Sequence, residues 1–307
     1  MSDGLLEELR PVSFAIAYRM LGTVSEAEDI VQEALLRLHR IINAGERIES
    51  PRAFIATVTT RLAIDELRAA RRRRERYVGE WLPEPILTDH SDDPAVHAER
   101  ADSLSMAVLV LLERLSPDQR AVLVLRDVFD YSYAEIAAIL GRGEQSVRQL
   151  ASRARKRVDR DRDRPRFASS REQQHELTRS FLAAARDGDL GALEAMLADD
   201  VVLTGDGGGK VPALARSLHG RLRVARTLLN WVKLGTRIPG ASIQPAQVNG
   251  GPGALLLDGK GRLIAVWALQ IAEGKITNIS SVVNPDKLAH LGRVADLSDL
   301  LRRATRG

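Results

Sequence analysis

Arginine is the residue whose type and spacing carry the clearest chemistry in this sequence. Two arginine-rich runs, residues 61–76 and 142–166, have local net charges of +4 and +6, although the whole 307-residue chain has a formal net charge of only +4. Clustered guanidinium groups neutralise phosphates and bind nucleic acid in a salt-dependent manner. The alternative interpretation is a solvated helix face. The choice between nucleic-acid binding and a solvated face depends on the secondary-structure elements that carry the two runs.

Other kinds of chemistry have little support. The chain has no cysteine, and its six histidines form no i, i+4 pair, so we expect no metal and no cofactor. The GDGGGK loop, residues 205–210, lacks P-loop spacing and is followed by Val211 and Pro212. Its three successive glycines favour a close backbone contact with another domain. No spacing that demands catalysis relates the acid–base candidates Asp206, His219, Asp258 and Glu273.

Length and hydropathy set the broad class. A chain of 307 residues with 44% apolar residues suits two or three compact domains. No N-terminal apolar stretch resembles a signal peptide, and the longest apolar runs are far shorter than the roughly 20 residues that span a bilayer. We therefore expect a cytoplasmic protein that does not bind membranes.

Helices carry the first basic run. Apolar residues from 30 to 42 recur at helical spacing, which predicts a helix over about residues 26–42 with a capping box of Ser25 and Glu28. Ser50 as N-cap and Pro51 as first helical position predict a further helix, on which the arginines lie. Residues 1–78 are therefore predicted to form an all-α domain.

Residues 104–158 predict a second all-α domain, which carries the other basic run. Ser116, Pro117 and Gln119 supply an N-cap, a first helical position and a capping-box partner. A short helix over residues 133–140, a glycine-containing turn and a basic helix from Glu144 follow. This arrangement is typical of a helix-turn-helix DNA-binding domain.

Two segments of different composition are predicted linkers. Residues 79–103 contain three prolines and an acidic stretch, and residues 159–171 alternate arginine with aspartate. Within the first linker, the WLPEP motif at residues 81–85 places a large aromatic side chain on a stiff, extended segment. We expect Trp81 to dock on a neighbouring domain.

The remaining residues predict an α+β domain over 172–291 and a C-terminal tail over 292–307. Helical segments come first, followed by four strand-like runs between residues 241 and 283. Asp258-Gly259 and Glu273-Gly274 predict two tight hairpins, so the strands are expected to form an antiparallel meander.

Three sequence runs follow one another in the N-terminal half: AEDIVQEALLRL at residues 27–38, SPRAFIATVTTRLAIDELR at 50–68 and LSPDQRAVLVLRDVFDYSYAEIAAILG at 115–141. Through these runs the N-terminal half resembles the sigma-70 superfamily, in particular the compact extracytoplasmic-function group that keeps regions 2 and 4. The rest is similar to a subgroup with a fused SnoaL-like domain, through WLPEP, GDGGGK and NPDKL at residues 284–288. The implied fold is multidomain: two all-α domains, regions 2 and 4, followed by an α+β SnoaL-like cone.

The resemblance implies a sigma factor that directs promoter-specific transcription initiation. Its partners would be promoter DNA and core RNA polymerase, through the clamp of the largest subunit and the flap. The residues implied in core polymerase binding are Asp29, Gln32 and Glu33. Those implied near the −10 element are Arg61, Arg68, Arg71 and Arg72, and those near the −35 element are Gln145, Ser146, Arg148, Gln149 and Arg153.

The same resemblance implies a regulatory contact between the linker and the C-terminal domain, which would tune activity without catalysis. The residues implied are Trp81, Leu82, Pro83, Asp206, Gly207, Gly208, Gly209, Lys210, Asn284, Pro285, Asp286 and Lys287. Two alternatives stay open at this point. The C-terminal domain could bind or convert an unknown small molecule, or the protein could be a helix-turn-helix regulator that acts without polymerase.

Overall fold

A computed structural model of the chain describes residues 2–74, 76–88, 105–161 and 170–306. The chain divides into two compact units. One contains residues 1–76 and 109–163, and the other contains residues 77–108 and 164–307. Most of the predicted linker 79–103 and most of the predicted charged linker 159–171 lie outside the described residues. The described start of the first linker groups with the C-terminal unit.

Helices α1 (Ser2–Leu21), α2 (Val24–Asn43) and α3 (Pro51–Arg74) form the N-terminal part of the first unit. Ser50 caps α3 as predicted, because its hydroxyl accepts the N–H of Ala53 at 3.2 Å. Buried Leu9, Ala34, Leu38 and Ile55 from the three helices form one hydrophobic cluster. The apolar stripe read from the sequence of α2 is therefore its buried face.

The predicted capping box of Ser25 and Glu28 is wrong. Helix α2 begins earlier, at Val24, with Thr23 in an extended conformation as its N-cap. The Thr23 hydroxyl donates to the Glu26 carboxylate at 2.6 Å, and Glu28 pairs with Arg10 of α1. Because Gly22 ends α1 with a φ of 72°, the chain re-enters a helix at once and leaves Ser25 inside the first turn.

The second set of helices in this unit comprises α5 (Pro117–Leu123), α6 (Tyr133–Leu140), α7 (Glu144–Asp161) and, from residue 109 onward, α4 (Met106–Leu112). A π-helical turn, Val124–Val128, continues α5. The capping box of Ser116 and Gln119 is present as predicted. Gly141 ends α6 with a left-handed φ of 62°, which only glycine adopts at low cost. Helices α6 and α7 therefore form the predicted helix-turn-helix.

A buried arginine connects the two sets of helices. Arg120 of α5 is 2% exposed and donates to the carbonyl of Met20, at the end of α1, at 2.7 Å. It also donates to the carbonyl of Leu109 and pairs with Glu113. A buried guanidinium is tolerated only with such partners, so Arg120 fixes α5 against α1.

The second unit combines helices with one mixed sheet. Its helices are α8 (Arg171–Asp187), α9 (Leu190–Met196), α10 (Arg221–Gly235), α11 (Pro285–Leu288) and α12 (Leu297–Arg306). Its strands are β1 (Leu197–Asp206), β2 (Leu218–His219), β3 (Ser242–Val248), β4 (Gly251–Leu257), β5 (Leu263–Ala272) and β6 (Lys275–Val282). Side chains of α8, α9 and α10 share one core with the sheet, built around Phe181, Leu228 and Trp267. The predicted α+β architecture is confirmed.

The strand order is β2-β1-β6-β5-β4-β3. Strands β3 to β6 form the predicted antiparallel meander, but β1 pairs with β6 in parallel. The helical connection from β1 through α10 carries the chain to the far edge of the sheet, and the meander then returns to β1. The ends of β1 and β6 consequently lie side by side, with Asp206 opposite Val282.

Turn chemistry was predicted in part. Glu273 and Gly274, with φ of 52° and 69°, form the predicted two-residue turn between β5 and β6. The predicted tight turn at Asp258-Gly259 is wrong, because residues 258–262 form a wider loop in which Asp258 accepts two backbone N–H groups. The sequence reading also missed the two-residue turn of Asn249 and Gly250, with φ of 53° and 73°.

The C-terminal tail of the prediction is structured in the described residues. After α11, a 3₁₀ turn at Ala289–Leu291 leads to α12, whose N-cap Asp296 accepts the N–H of Asp299 at 2.9 Å. None of the described helices is long and apolar enough to cross a bilayer.

Candidate functional site

Residues 77–88 run along the C-terminal unit and extend the end of its sheet. Leu87 forms an antiparallel bridge with Val248, and the N–H of Thr88 donates to the carbonyl of Gln247 at 3.1 Å. Buried Asn249 exchanges hydrogen bonds with Ile86 through its backbone N–H, at 2.8 Å, and its side-chain oxygen, at 3.1 Å. The turn missed in the sequence is therefore a docking point for the linker.

The second docking point is the carboxylate of Asp206, at the end of β1. It is fully buried and accepts the backbone N–H of Leu82 at 2.8 Å, the hydroxyl of Tyr77 at 2.5 Å and the N–H of Gly208 at 3.0 Å. The ammonium group of Lys287, 5% exposed, completes the set at 2.7 Å. The buried Asp206 carboxylate thus accepts hydrogen bonds from the linker, the glycine loop and α11.

Lys287 holds the linker from the other side. Its ammonium group donates to the carbonyl of Leu82 and lies 4.0 Å from the centre of the Trp81 ring and 4.9 Å from that of Tyr77. Leu82 is 1% exposed, so its backbone is bound at both N–H and carbonyl inside the protein. We call this arrangement of Tyr77, Trp81, Leu82, Asp206 and Lys287 the linker lock. Charge-assisted bonds and cation–π contacts stabilise it.

The glycine loop has the close approach that its sequence suggested. A Cβ on Gly208, which has a φ of 60°, would lie 2.2 Å from the side-chain nitrogen of Asn284. A Cβ on Gly209, with a φ of 70°, would lie 2.9 Å from Cβ of Val78. A Cβ on Gly207 would meet the carbonyl oxygen of Val211 at 2.4 Å. Each glycine is required by space, and two are required by backbone conformation as well.

The NPDKL segment completes the site. Asn284 caps α11 by accepting the N–H of Asp286 at 3.1 Å and donates to the Tyr77 hydroxyl at 2.9 Å. Pro285 opens α11, and Asp286 pairs with Lys210 on the protein surface. Trp81, Leu82 and the two predicted segments of the C-terminal domain, GDGGGK and NPDKL, therefore meet in one place, with Pro83 buried beside them.

Three residues of the site were missed in the sequence. Tyr77 was placed at the end of the first domain, and Asn249 was hidden in an unrecognised turn. The ring of His290 lies 2.8 Å from the carbonyl oxygen of Pro85. The Asn-Gly pair between two β-type runs was an available signal for Asn249. No local signal marks the other two, because their partners are far away in the chain.

Burial raises the pKa of the Tyr77 hydroxyl well above its usual range, and the hydrogen bond to Asp206 raises it further. The phenol is therefore a proton donor to the carboxylate at neutral pH.

In the first unit, the predicted polymerase-binding residues lie on one stripe of α2. Asp29 and Gln32 are exposed, and Glu33 pairs with Arg37 at 2.7 Å. Leu36, one turn beyond Gln32 and Glu33, is 49% exposed. The stripe therefore combines acidic and amide groups with an apolar side chain, which was not recognised in the sequence.

The predicted −10 arginines do not all face solvent freely. Arg61 of α3 donates to the carbonyls of Ile139 and Ala138, at the end of α6, at 2.8 and 3.2 Å. Arg68 lies 3.3 Å from a carboxylate oxygen of Asp118. Arg71 and Arg72 belong to the last turns of α3, and their side chains lie outside the described part. In this conformation two of the arginines predicted to contact DNA are instead bound to residues of α5 and α6.

The predicted −35 residues lie at the start of α7. Gln145, Arg148, Gln149 and Arg153 are exposed, and Ser146 is half-buried. Arg148 pairs with Glu144 and lies 4.6 Å from the centre of the Tyr133 ring. Buried Val147, Ala151 and Ala154 form the opposite face of the helix. The basic face of α7 is therefore exposed, while the buried opposite face holds the helix in place.

Comparison with known proteins agrees with this geometry. The family model for sigma-70 region 2 matches residues 5–73, and that for sigma-70 region 4 matches residues 105–158. The chain is 40% identical over 291 residues to ECF RNA polymerase sigma factor SigJ of Mycobacterium tuberculosis, covering 92% of this chain and 91% of that protein. The chain belongs to the extracytoplasmic-function sigma factors. As a member of this family, it directs RNA polymerase to promoters.

Similarity extends beyond regions 2 and 4. The probable ECF sigma factor SigI of Mycobacterium tuberculosis is 35% identical over 284 residues, covering 89% of this chain and 90% of that protein. The crystal structure of Mycobacterium tuberculosis SigJ matches with a TM-score of 0.75 and 38% identity, covering 93% of this chain and 98% of that chain. The SnoaL-like domain is therefore part of the sigma factor. A helix-turn-helix regulator that acts without polymerase does not account for this full-length similarity.

Proposed function

We propose that the SnoaL-like domain regulates this sigma factor through the linker lock. The observation that supports the proposal is the buried Asp206–Lys287 pair, which binds the N–H and the carbonyl of Leu82 from opposite sides. The linker joins region 2 to region 4, so opening the lock would release residues 77–88 between the two promoter-binding regions. Once released, these twelve residues could extend to about 40 Å, which would allow a larger separation between region 2 and region 4.

Transcription with purified core polymerase tests the regulatory role. The variant Lys287→Met should change promoter-dependent transcription by about fivefold or more, the lower range of allosteric couplings. The matched control is Lys210→Met, which removes the exposed pair with Asp286 from the same site. Replacement of Gly207 to Gly209 by alanine should act like Lys287→Met. Equal transcription by the unmodified protein and all variants would contradict the proposal.

For polymerase, we propose that the stripe of Asp29, Gln32, Glu33 and Leu36 binds the clamp of the largest subunit and that region 4 binds the flap. Exposure of the stripe and its mixed polar and apolar character support the first contact. For DNA, we propose that α3 binds the −10 element and that α7 binds the −35 element. Arg61 and Arg68 must then exchange their region 4 partners for DNA when the polymerase complex forms.

We further propose that the SnoaL-like domain is not catalytic. Its four acid–base candidates have structural positions. Asp206 is committed to the lock, and Asp258 bonds the backbone and guanidinium of Arg262 within its own loop. His219 is an exposed residue of the short strand β2, and Glu273 forms a hairpin turn. None of them lines the apolar cavity that α10, α12 and the sheet form in the described part of this domain. Turnover of a small molecule by the intact protein, lost on Asp258→Asn, would contradict this view.

A further inference from the structure

The SnoaL-like domain contains a partly open cavity of about 390 Å³ lined by α10, the sheet and α12. Trp231 and Trp267 form part of its wall, with ring centres 6.5 Å apart and planes tilted by 42°. Leu297 and Leu301 of α12 line another part, so the C-terminal helix covers this space. An apolar cavity of roughly 150 Å³ holds one benzene. The volume here therefore suits a molecule of two to three rings.

The polar groups of the cavity wall restrict the charge and polarity of a ligand that could bind there. Arg186 is the one titratable side chain that lines the cavity within the described residues, and it is exposed. Apart from Arg186, no described lining residue could pair with an ionic ligand, and burial of an unpaired charge is costly. Ser281 of β6 is 2% exposed and lines the cavity. The indole N–H of Trp267, 1% exposed in the same wall, has no hydrogen-bond partner among the described residues. We propose that the cavity is a receptor site for a neutral, largely apolar small molecule with one polar group that bonds Ser281 and the Trp267 N–H.

The same site is adjacent to the linker lock. Gly205 and Ser281 are paired across β1 and β6 and line the cavity, while the next residue of β1, Asp206, holds Leu82. Leu214 also lines the cavity and packs on Gly205, where a Cβ would meet its backbone nitrogen at 3.2 Å. A ligand that displaces Leu214 would move the strand ends that carry the lock. This coupling rests on the proposed regulatory function, whereas the binding site itself does not.

Binding is tested with the full-length protein and N-phenyl-1-naphthylamine, a neutral fluorescent three-ring probe. The three rings of this probe are at the upper end of the size that the cavity suits. We expect saturable binding of one probe per chain, with energy transfer from the cavity tryptophans. Ile264→Trp fills the cavity and should abolish binding, whereas Leu222→Trp, at a 43% exposed position of α10, should leave it unchanged. If Ile264→Trp fails to fold, Leu256→Trp replaces it. Absent or unsaturable binding, or full binding by the filled variant, would overturn the proposal.

Two further measurements separate the ligand chemistry from the coupling. Displacement by 1-naphthol should be stronger than displacement by naphthalene, and Ser281→Ala should reduce the difference. An equal preference in both proteins would refute the role of Ser281. Saturating probe should change amide exchange of residues 77–88 by about fivefold or more. Binding without that change would refute the coupling and leave the receptor site and the sigma factor function intact.

Discussion

The linker lock predicts a large effect of one substitution, Lys287→Met. Breaking a buried ion pair by removing one partner costs about 3–5 kcal/mol, because the other charge stays buried. Asp206 keeps three donors, from Leu82, Tyr77 and Gly208, so we expect the lower end, about 3 kcal/mol. A loss of that size weakens linker docking about 150-fold.

Amide hydrogen exchange measures this effect, because the Leu82 N–H is protected only while the linker is docked. Its exchange should accelerate about 150-fold in Lys287→Met, while the amides of β5 stay protected and show that the domain is folded. In the control Lys210→Met, whose ion pair is exposed at both ends, a loss of about 0–1 kcal/mol should accelerate exchange at most about fivefold. Adding Asp206→Asn to Lys287→Met should restore part of the protection, because the unpaired charge disappears. Similar exchange in Lys287→Met and Lys210→Met would refute the reasoning.

Three other predictions follow from the described geometry. Gly208→Ala should weaken docking, seen as faster exchange of residues 77–88, whereas Gly261→Ala, with a similar φ of 71° and open space, should not; equal effects would exclude the close approach as the cause. Because the docked state holds the Tyr77 proton more strongly than the released linker, docking should be complete below a pH of about 10 and weaken above it. Tryptophan emission should report that loss, and Tyr77→Phe should remove the pH dependence. Leu36→Asp should weaken core polymerase binding about tenfold in a polarisation assay without lowering the melting temperature; unchanged affinity would place the contact elsewhere.

Local signals in the sequence were sufficient for most helices and strands. The capping box at Ser116, the cap at Ser50, the helical turn at Gly141 and the hairpin at Glu273 depend on residues within a few positions of one another, and the structure has all four. The failure at Ser25 arose where two caps compete within one turn, since Thr23 is already extended and starts α2 first. The ordered motifs added the family, because they carry information that periodicity lacks.

The sequence alone therefore determined the helical domains, the α+β class of the C-terminal half and the membership in a family of sigma factors. Only the tertiary structure decided how the motifs are joined. Leu82 and Asp206 are 124 positions apart, and Asp206 and Lys287 are 81 apart. Their meeting depends on the parallel pairing of β1 with β6, which no local pattern encodes. The same holds for Arg61, whose guanidinium is directed to helix carbonyls 78 positions away. Contacts over such sequence distances are set by the packing of whole helices and strands. Packing buries many side chains at once, and the partners that it brings together are not specified by residues nearby in the sequence.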